Sequence, residues 1–356
     1  MPKLKNLNKE IKTETLDTAL QSEIFPEPES EIKPEIKDKE KSPEETKKEM
    51  KGLMQEIEKF LDEKQPPKAE IENSEEKKAK IGEYQEKYLP DYLREKKDFV
   101  SSVLTGLWRR LARFEKEGSE NVPEEGSFLV VCNHFGGGDT EALAATFKDF
   151  DTHFAIGKEI WWEQSPVLKW FFKKLRLIPV EESLANLSEQ EKEEALKRQN
   201  KYGKKVFRKI IEREKRGGVA MNADFVRAAT AALSRKDKNK KGDVVIIFPE
   251  GLWLNPQGKM VPREKAEMKQ GYRGIELVAS QYKKVTGKEL KILPTTFIED
   301  AKTGKKKLVI SKPVKLSEND TDLNGTDWCM AKIAGKFEGE NKDKRGYYKD
   351  IAIEEK

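Results

Sequence analysis

The sequence is poor in cysteine, in histidine and in long apolar runs. Only two cysteines occur among its 356 residues, which excludes a disulfide scaffold and a zinc module built on several cysteines. No run of about 18 apolar residues is present, so no segment is predicted to span a membrane as a helix. The first 20 residues lack the apolar core of a secretory signal, and we therefore expect a cytoplasmic protein.

Charged residues are abundant and unevenly distributed. They make up 38% of the chain, whereas hydrophobic residues make up 36%. Globular domains usually contain about 25% charged residues, so a folded part and a solvated part are predicted. Residues 1–100 carry 21 Lys and Arg against 26 Asp and Glu, and residues 101–356 carry 49 against 39. We expect a charged, largely disordered or helical region over 1–100 and a folded domain over 101–356, whose net charge is +10.

Short apolar runs alternate with helical patterns from residue 127 onward. Strands are predicted at 127–132, 152–156, 177–180, 243–248, 291–298 and 307–310, and helices at 140–147, 160–175, 187–215, 223–234 and 268–284. Strands separated by helices need crossover connections, which favours a single α/β domain with a mainly parallel sheet flanked by helices. A basic amphipathic lead-in helix is predicted over 101–117, and a charged helical insertion over 184–220.

His134 is one of only two histidines and directly follows the first predicted strand. The glycines at 136–138 favour a loop, and Asp139 then stands where a helix N-cap is expected. Such a loop lets the Asp139 carboxylate contact one imidazole nitrogen, leaving the other free to act as a general base. Spacing alone allows an alternative, an N-cap Asp139 beside an unrelated loop histidine. The second histidine, His153, lies inside a predicted strand and is expected to be packed.

A second group of residues, FPEG at 248–251, follows the predicted strand 243–248. Ligands of parallel α/β sheets bind beyond the carboxyl ends of the strands, so His134 and Glu250 are expected to converge there. Pro249 stiffens the strand exit, and Gly251 permits a tight turn. Cys132 lies on the apolar strand before His134 and is predicted to be a packed side chain rather than a nucleophile.

NHFGGGD at 133–139 and FPEG at 248–251 resemble the paired motifs of the glycerolipid acyltransferases, typified by 1-acylglycerol-3-phosphate acyltransferase. AIGKEI, RLIPVEE and ILPTTFI resemble further blocks of that family, and the similarity covers roughly residues 101–315. The resemblance implies acyl transfer from acyl-CoA or acyl-carrier protein to a hydroxyl of a lysophospholipid or glycerolipid. His134 would be the base and Asp139 its orienting partner. No metal and no further cofactor are implied.

The resemblance also implies a set of residues that contact the substrate or hold the site. They are Asn133, Gly138, Lys158, Phe248, Pro249, Glu250 and Gly251. Backbone N–H groups near 136–138 are the expected donors to the oxyanion.

The chain departs from the family at two positions. Members that act on a phosphate-bearing acceptor have two arginines that bind this phosphate. One follows the second block, which here is AIGKEI with RLIPVEE, and the other follows the FPEG motif. Here Glu181 follows Val180, and Leu252 follows Gly251. The basic residues that could bind phosphate in place of these arginines are Lys158, Lys173, Lys174, Arg176 and Arg263. An acceptor without phosphate is therefore one alternative, and a non-catalytic membrane- or lipid-binding protein of the same fold is another.

Residues 160–175 are the most aromatic segment and include several lysines. Together with the net positive charge of 101–356, they predict peripheral contact with an anionic membrane surface, and a core helix is the alternative. The lead-in helix over 101–117 has the same two interpretations. No nucleic-acid motif accompanies the positive charge, so no nucleic-acid partner is expected.

Overall fold

The computed structural model describes most of the chain beyond residue 73. The described segments are 74–94, 114–134, 139–157, 166–180, 219–235, 241–250, 274–299, 305–337 and 347–351. Further described positions are 106, 192–193, 196–197, 204, 208, 210–212, 268, 271 and 345. All of them fall within the compact unit Lys41–Lys356.

Seven strands of the described segments form one sheet. In chain order they are β1 (Glu115–Glu117), β2 (Phe128–Cys132), β3 (Asp151–Gly157), β4 (Ile178–Val180), β5 (Asp243–Ile247), β6 (Lys291–Glu299) and β7 (Lys306–Ile310). Across the sheet the order is β1-β7-β6-β2-β5-β3-β4. Neighbouring strands are parallel except β6 and β7, which are antiparallel. The mainly parallel α/β sheet is therefore confirmed.

Helices precede, connect and follow these strands. They are α1 (Ser74–Tyr88), α2 (Asp91–Arg94), α3 (Asp139–Thr146), α4 (Pro166–Lys174), α5 (Val219–Leu233), α6 (Gly274–Thr286) and α7 (Gly325–Gly335). α3 lies between β2 and β3, α4 between β3 and β4, and α6 between β5 and β6. These are the crossover connections that parallel strands require.

The sheet separates two hydrophobic cores, because successive side chains of a strand point to opposite faces. In β2, Leu129 and Val131 pack with α5, α6 and α7. Phe128, Val130 and Cys132 face the other core, which includes α3. Every residue of β2 and β5 is buried, as expected for central strands of a parallel sheet covered on both faces. These two strands precede the two sequence motifs.

The packed part of the chain begins before residue 101, where the sequence analysis starts the domain. Leu89 and Leu93, at the end of α1 and within α2, are buried in the same core as α5. The Tyr92 hydroxyl donates to the carbonyl oxygen of Leu177 at 2.8 Å. Residues 74–94 contain the helices α1 and α2, and these helices pack with the domain. Their few apolar side chains are enough to attach the two helices to the domain, because these side chains are buried in the core.

The end of the predicted lead-in helix is a strand. Glu115–Glu117 forms β1, in which Lys116 pairs with Leu308 of β7. All three residues of β1 are exposed and charged, so the strand shows no alternation of apolar side chains. Within 101–113 only Gly106 is described. Most of the predicted insertion, 184–220, also lies outside the described residues.

A buried charge cluster closes the amino ends of β3 and β5. Asp151 and Asp243, the first residues of these strands, accept hydrogen bonds from Nη2 of Arg235 at 2.7 Å and 2.6 Å. Nη1 of Arg235 donates to the carbonyl oxygen of Leu93 at 2.6 Å, which attaches α2 to the sheet. Nε2 of His153 lies 2.8 Å from Oδ1 of Asp243. His153 is fully buried, so its predicted packing is confirmed.

Candidate active site

The two motif segments leave the sheet side by side. β2 and β5 are adjacent and parallel, with Val131 opposite Ile247. Residues 133–134 and 248–250 therefore continue from neighbouring strands at the same edge. This is the carboxyl edge, where α/β sheets bind their ligands.

His134 and Asp139 form the contact that their setting in the sequence predicts. Nδ1 of His134 lies 2.7 Å from Oδ2 of Asp139. Asp139 is the first residue of α3 and is 1% exposed, whereas the His134 side chain remains 15% exposed. Because a carboxylate accepts hydrogen bonds, this contact favours the tautomer that carries its hydrogen on Nδ1, in which Nε2 is the acceptor. The alternative of an unrelated loop histidine is excluded by this contact.

Phe248 stacks on the imidazole of His134. The ring centroids are 4.4 Å apart and the ring planes are inclined by 24°. Phe248 follows β5 directly and is half-buried against the core that contains Cys132. Phe248 was predicted to be a site residue, but its stacking on His134 was not predicted. The sequence feature that indicated the site was the position of Phe248 directly after a predicted strand. The stacking itself depends on the pairing of β2 with β5, which brings residues 134 and 248 together.

Asn133 fixes the exit of β2. Its Nδ2 donates to the carbonyl oxygen of Phe297 at 3.0 Å, and the backbone N–H of Phe297 donates to its Oδ1 at 2.8 Å. Asn133 is 4% exposed. Both polar atoms of its side chain therefore bind the neighbouring strand β6. Asn133 thus holds the backbone before His134 in place, and its contact with substrate stays a prediction.

Pro249 and Glu250 are buried. Burial is the main cause of the raised pKa of the Cys132 thiol and of the Tyr348 phenol, and the charge of Glu250 raises both pKa values further. The Glu250 carboxylate thus lies in the interior, close enough to act on these two groups. Of the two roles that the resemblance implies, this burial favours support of the catalytic fold over contact with the acceptor.

A hydrogen-bond network that includes Tyr348 holds Gly271, which lies close to Pro249. The Tyr348 hydroxyl donates to Oδ1 of Asp327 at 2.9 Å and accepts from the backbone N–H of Gly271 at 2.8 Å. A Cβ atom at Gly271 would lie 3.2 Å from Cβ of Pro249 and 2.7 Å from Cγ2 of Thr326, so glycine permits this close approach. These residues carry no recognisable motif in the sequence, because only the fold brings them together.

Cys132 is unsuited to nucleophilic catalysis. It is fully buried, and burial raises the pKa of its thiol well above the usual value, with the charges of Asp139 and Glu250 raising it further. The reactive form of cysteine is the thiolate, which this environment disfavours. The predicted packing role is confirmed.

Arg176 is removed from the candidate phosphate ligands. It is 3% exposed, its Nη2 donates to the carbonyl oxygen of Leu93, and its Nη1 lies 3.8 Å from Oδ2 of Asp151. These partners belong to the charge cluster at the amino ends of the strands. Arg176 therefore lies at the amino ends of the strands, whereas His134 lies at their carboxyl ends.

Several predicted site residues lie outside the described part of the chain. These are Gly138, Lys158 and Gly251, together with Arg263 and the glycines before Gly138. Their roles stay predictions. Among the described residues, no group of three or more His, Cys, Asp and Glu side chains is arranged to hold a metal ion. None of the helices in the described residues has the length and apolar content needed to cross a bilayer.

Comparison with known proteins gives one family match. The family model described as Acyltransferase matches residues 113–298, which is more than half of the chain and includes both motifs. No curated protein matches the chain significantly. A solved structure of the 1-acyl-sn-glycerophosphate acyltransferase PlsC from Thermotoga maritima is 15% identical, with 80% of this chain and 81% of that chain covered and a TM-score of 0.29.

Proposed function

Because the chain belongs to the acyltransferase family, we propose that it transfers a fatty acyl group from a thioester to a lipid hydroxyl, with His134 as the general base. The thioester is that of acyl-CoA or acyl-carrier protein. The observation that carries the proposal is the 2.7 Å contact between Nδ1 of His134 and Oδ2 of Asp139 at the carboxyl edge of the sheet.

The geometry supports a direct transfer. Nε2 of His134 takes the proton of the acceptor hydroxyl as its oxygen attacks the thioester carbonyl carbon. The tetrahedral intermediate then collapses, the C–S bond breaks, and the imidazolium returns the proton to the leaving thiolate. The products are an ester and a free thiol. A thioester is already activated, so a covalent enzyme intermediate is unnecessary, in agreement with the buried and protonated Cys132.

Asp139 is proposed to hold and stabilise the imidazolium formed in the first step. Its carboxylate accepts the Nδ1 hydrogen at 2.7 Å and is almost fully buried, so water does not compete for this hydrogen bond. A carboxylate in this position fixes the tautomer and the orientation of the base without becoming protonated itself.

The acceptor is proposed to be a lysophospholipid or another glycerolipid with a free hydroxyl. The second candidate is an acceptor without phosphate. It is favoured by Glu181 and Leu252, which stand where phosphate-bearing members have arginine, and by the burial of Arg176 away from the site.

An acceptor panel tests both candidates. Purified full-length protein is incubated with acyl-CoA or acyl-carrier protein and with 1-acylglycerol-3-phosphate, another lysophospholipid or monoacylglycerol, and thiol release and ester product are measured. Ester formed only with monoacylglycerol supports the acceptor without phosphate. Ester formed only with the phosphate-bearing acceptors contradicts it. If no combination yields ester, the enzymatic proposal is lost and the non-catalytic lipid-binding protein takes its place.

Contact with an anionic membrane surface is proposed to involve α4, at the cytoplasmic face. Trp170 is 47% exposed, and Nζ of Lys174 lies 5.8 Å from the centroid of its indole ring. Lys173 is exposed on the same helix. Exposed tryptophan beside lysine suits the headgroup region of a membrane.

Vesicle flotation tests this surface. A Trp170→Ala/Lys173→Ala variant is expected to lose binding to vesicles that contain anionic lipid. The matched control is Tyr347→Ala, which removes another aromatic side chain that is 52% exposed. Equal flotation of the double variant and the wild type contradicts α4 as the contact.

A further inference from the structure

The face of the His134 imidazole is covered by Phe248, and the acyl-transfer scheme gives this contact no role. The two ring centroids lie 4.4 Å apart with an inclination of 24°. We propose that Phe248 is a positioning residue, whose ring fixes the plane of the His134 imidazole and stabilises the imidazolium that forms when the acceptor proton is taken. This inference rests on the proposed function, since it assigns a partner to the proposed base.

The hydrogen bond to Asp139 alone does not define the orientation of the imidazole. That contact holds the ring at Nδ1, and the ring can still swing about this one point. A flat aromatic ring against the imidazole face removes this freedom. The contact with Asp139 acts in the plane of the imidazole and the contact with Phe248 acts on its face, so together they restrict the direction of the Nε2 lone pair.

The backbone at Phe248 is held in position by the strand pairing and by its buried neighbours. β5 and β2 are paired in parallel up to Ile247 and Val131, so the residue after β5 lies beside the residues that follow β2. Ile247 and Pro249, on either side of Phe248, are buried. The backbone that carries the phenyl ring is therefore anchored before and after it.

The chemistry of a phenyl ring suits this position. The face of an aromatic ring is electron-rich and attracts a cation within about 6 Å of its centroid, and the stacked imidazole becomes a cation during the proposed reaction. The neutral imidazole gains less from the same contact. Phe248 is thus expected to favour the charged intermediate over the resting state, which is the condition for accelerating a step.

Steady-state kinetics of three variants test the inference. Phe248→Leu keeps an apolar side chain but removes the ring, and its kcat is expected to fall about tenfold with KM within about twofold of wild type. Phe248→Tyr keeps the ring and is expected to retain kcat within about twofold. The matched control is Phe150→Leu, the same substitution at a buried phenylalanine next to the amino end of β3, which should leave kcat near wild type.

Nuclear magnetic resonance of the imidazole protons provides a readout that does not depend on turnover. The chain has only two histidines, so the signals are assigned by comparison with His134→Ala. Phe248→Leu is expected to move the ring-proton signals of His134 downfield, because the shielding by the phenyl ring is lost, while those of His153 stay unchanged.

The outcomes separate this inference from the proposed function. If His134→Ala is as active as wild type, both the proposed function and the inference about Phe248 are wrong. If His134→Ala is inactive but Phe248→Leu has wild-type kcat, the role of His134 as the base is supported and the positioning role of Phe248 is wrong. Unchanged His134 signals in Phe248→Leu also overturn the inference.

Discussion

Oδ2 of Asp139 lies 2.7 Å from Nδ1 of His134, so the first residue of α3 contacts the second residue after β2. This contact is built by the first turn of a helix rather than by a neighbouring strand. It makes the orientation of the base depend on where α3 begins.

Replacing the orienting carboxylate is expected to impair acyl transfer without unfolding the protein. Asp139→Asn preserves the shape of the side chain but permits its amide to donate to Nδ1, which favours the wrong tautomer of His134. We expect kcat to fall by a factor of about 10²–10⁴, measured as thiol release at saturating substrate. Activity within twofold of wild type in a folded Asp139→Asn variant contradicts the orienting role.

The charge cluster at the amino ends of β3 and β5 is expected to be important for stability. Arg235→Met removes the partner of the buried carboxylates of Asp151 and Asp243 and should lower the free energy of unfolding by about 3–5 kcal/mol, measured in urea. The control is Lys80→Met, which breaks a solvent-exposed pair with Glu76 and should cost less than about 1 kcal/mol. Equal losses in the two variants contradict this assignment.

Stability is expected to fall as the pH drops below 6.5, the ordinary pKa of histidine. Burial lowers the pKa of His153, Arg176 and Arg235 lower it further, and Asp243 opposes the effect. The unfolded chain therefore binds a proton at pH values where the folded chain does not. The stabilisation is full above the unfolded pKa and is lost as the pH falls towards the lowered one.

Urea unfolding at pH 7.5 and pH 5.5 measures this pH dependence. His153→Gln keeps a polar side chain beside Asp243 but cannot be protonated, so its stability should fall less between the two pH values. An equal fall in the variant and the wild type assigns the pH dependence to other groups.

The Tyr348 hydroxyl is expected to support the site through Asp327 and Gly271. Tyr348→Phe leaves a buried carboxylate oxygen and a buried N–H group without this partner and should lower the free energy of unfolding by about 1–3 kcal/mol. Tyr347→Phe is the neighbouring control, because that ring is half exposed and the same hydroxyl is removed. Losses of equal size would argue against a specific role for the buried hydroxyl.

The sequence predicts much of the sheet because its central strands are continuous apolar runs. β2 and β5 were predicted within one residue of their observed ends, and their burial follows from their composition. β1 was missed because an exposed edge strand of three charged residues has no apolar alternation. α7 was missed because it is buried almost all round, so it shows no amphipathic period.

The sequence also predicts the two residues of the proposed dyad, but not their surroundings. His134 and Asp139 are close in the chain, and the glycines between them, with a helix start expected at Asp139, predict that the two side chains can meet. The contacts of Phe248 with His134, and of Tyr348 with Asp327 and Gly271, join residues far apart in sequence. Such contacts depend on the strand order and on helix packing, which local patterns do not determine.

The central claim is that the His134 imidazole is the base of acyl transfer. Its most direct test is the rate of ester formation by His134→Ala, compared with wild type on the best acceptor of the panel. Retention of the wild-type unfolding midpoint shows that the variant is folded. We predict a loss of at least about 100-fold in kcat for the folded variant. A kcat within about threefold of wild type would contradict the account.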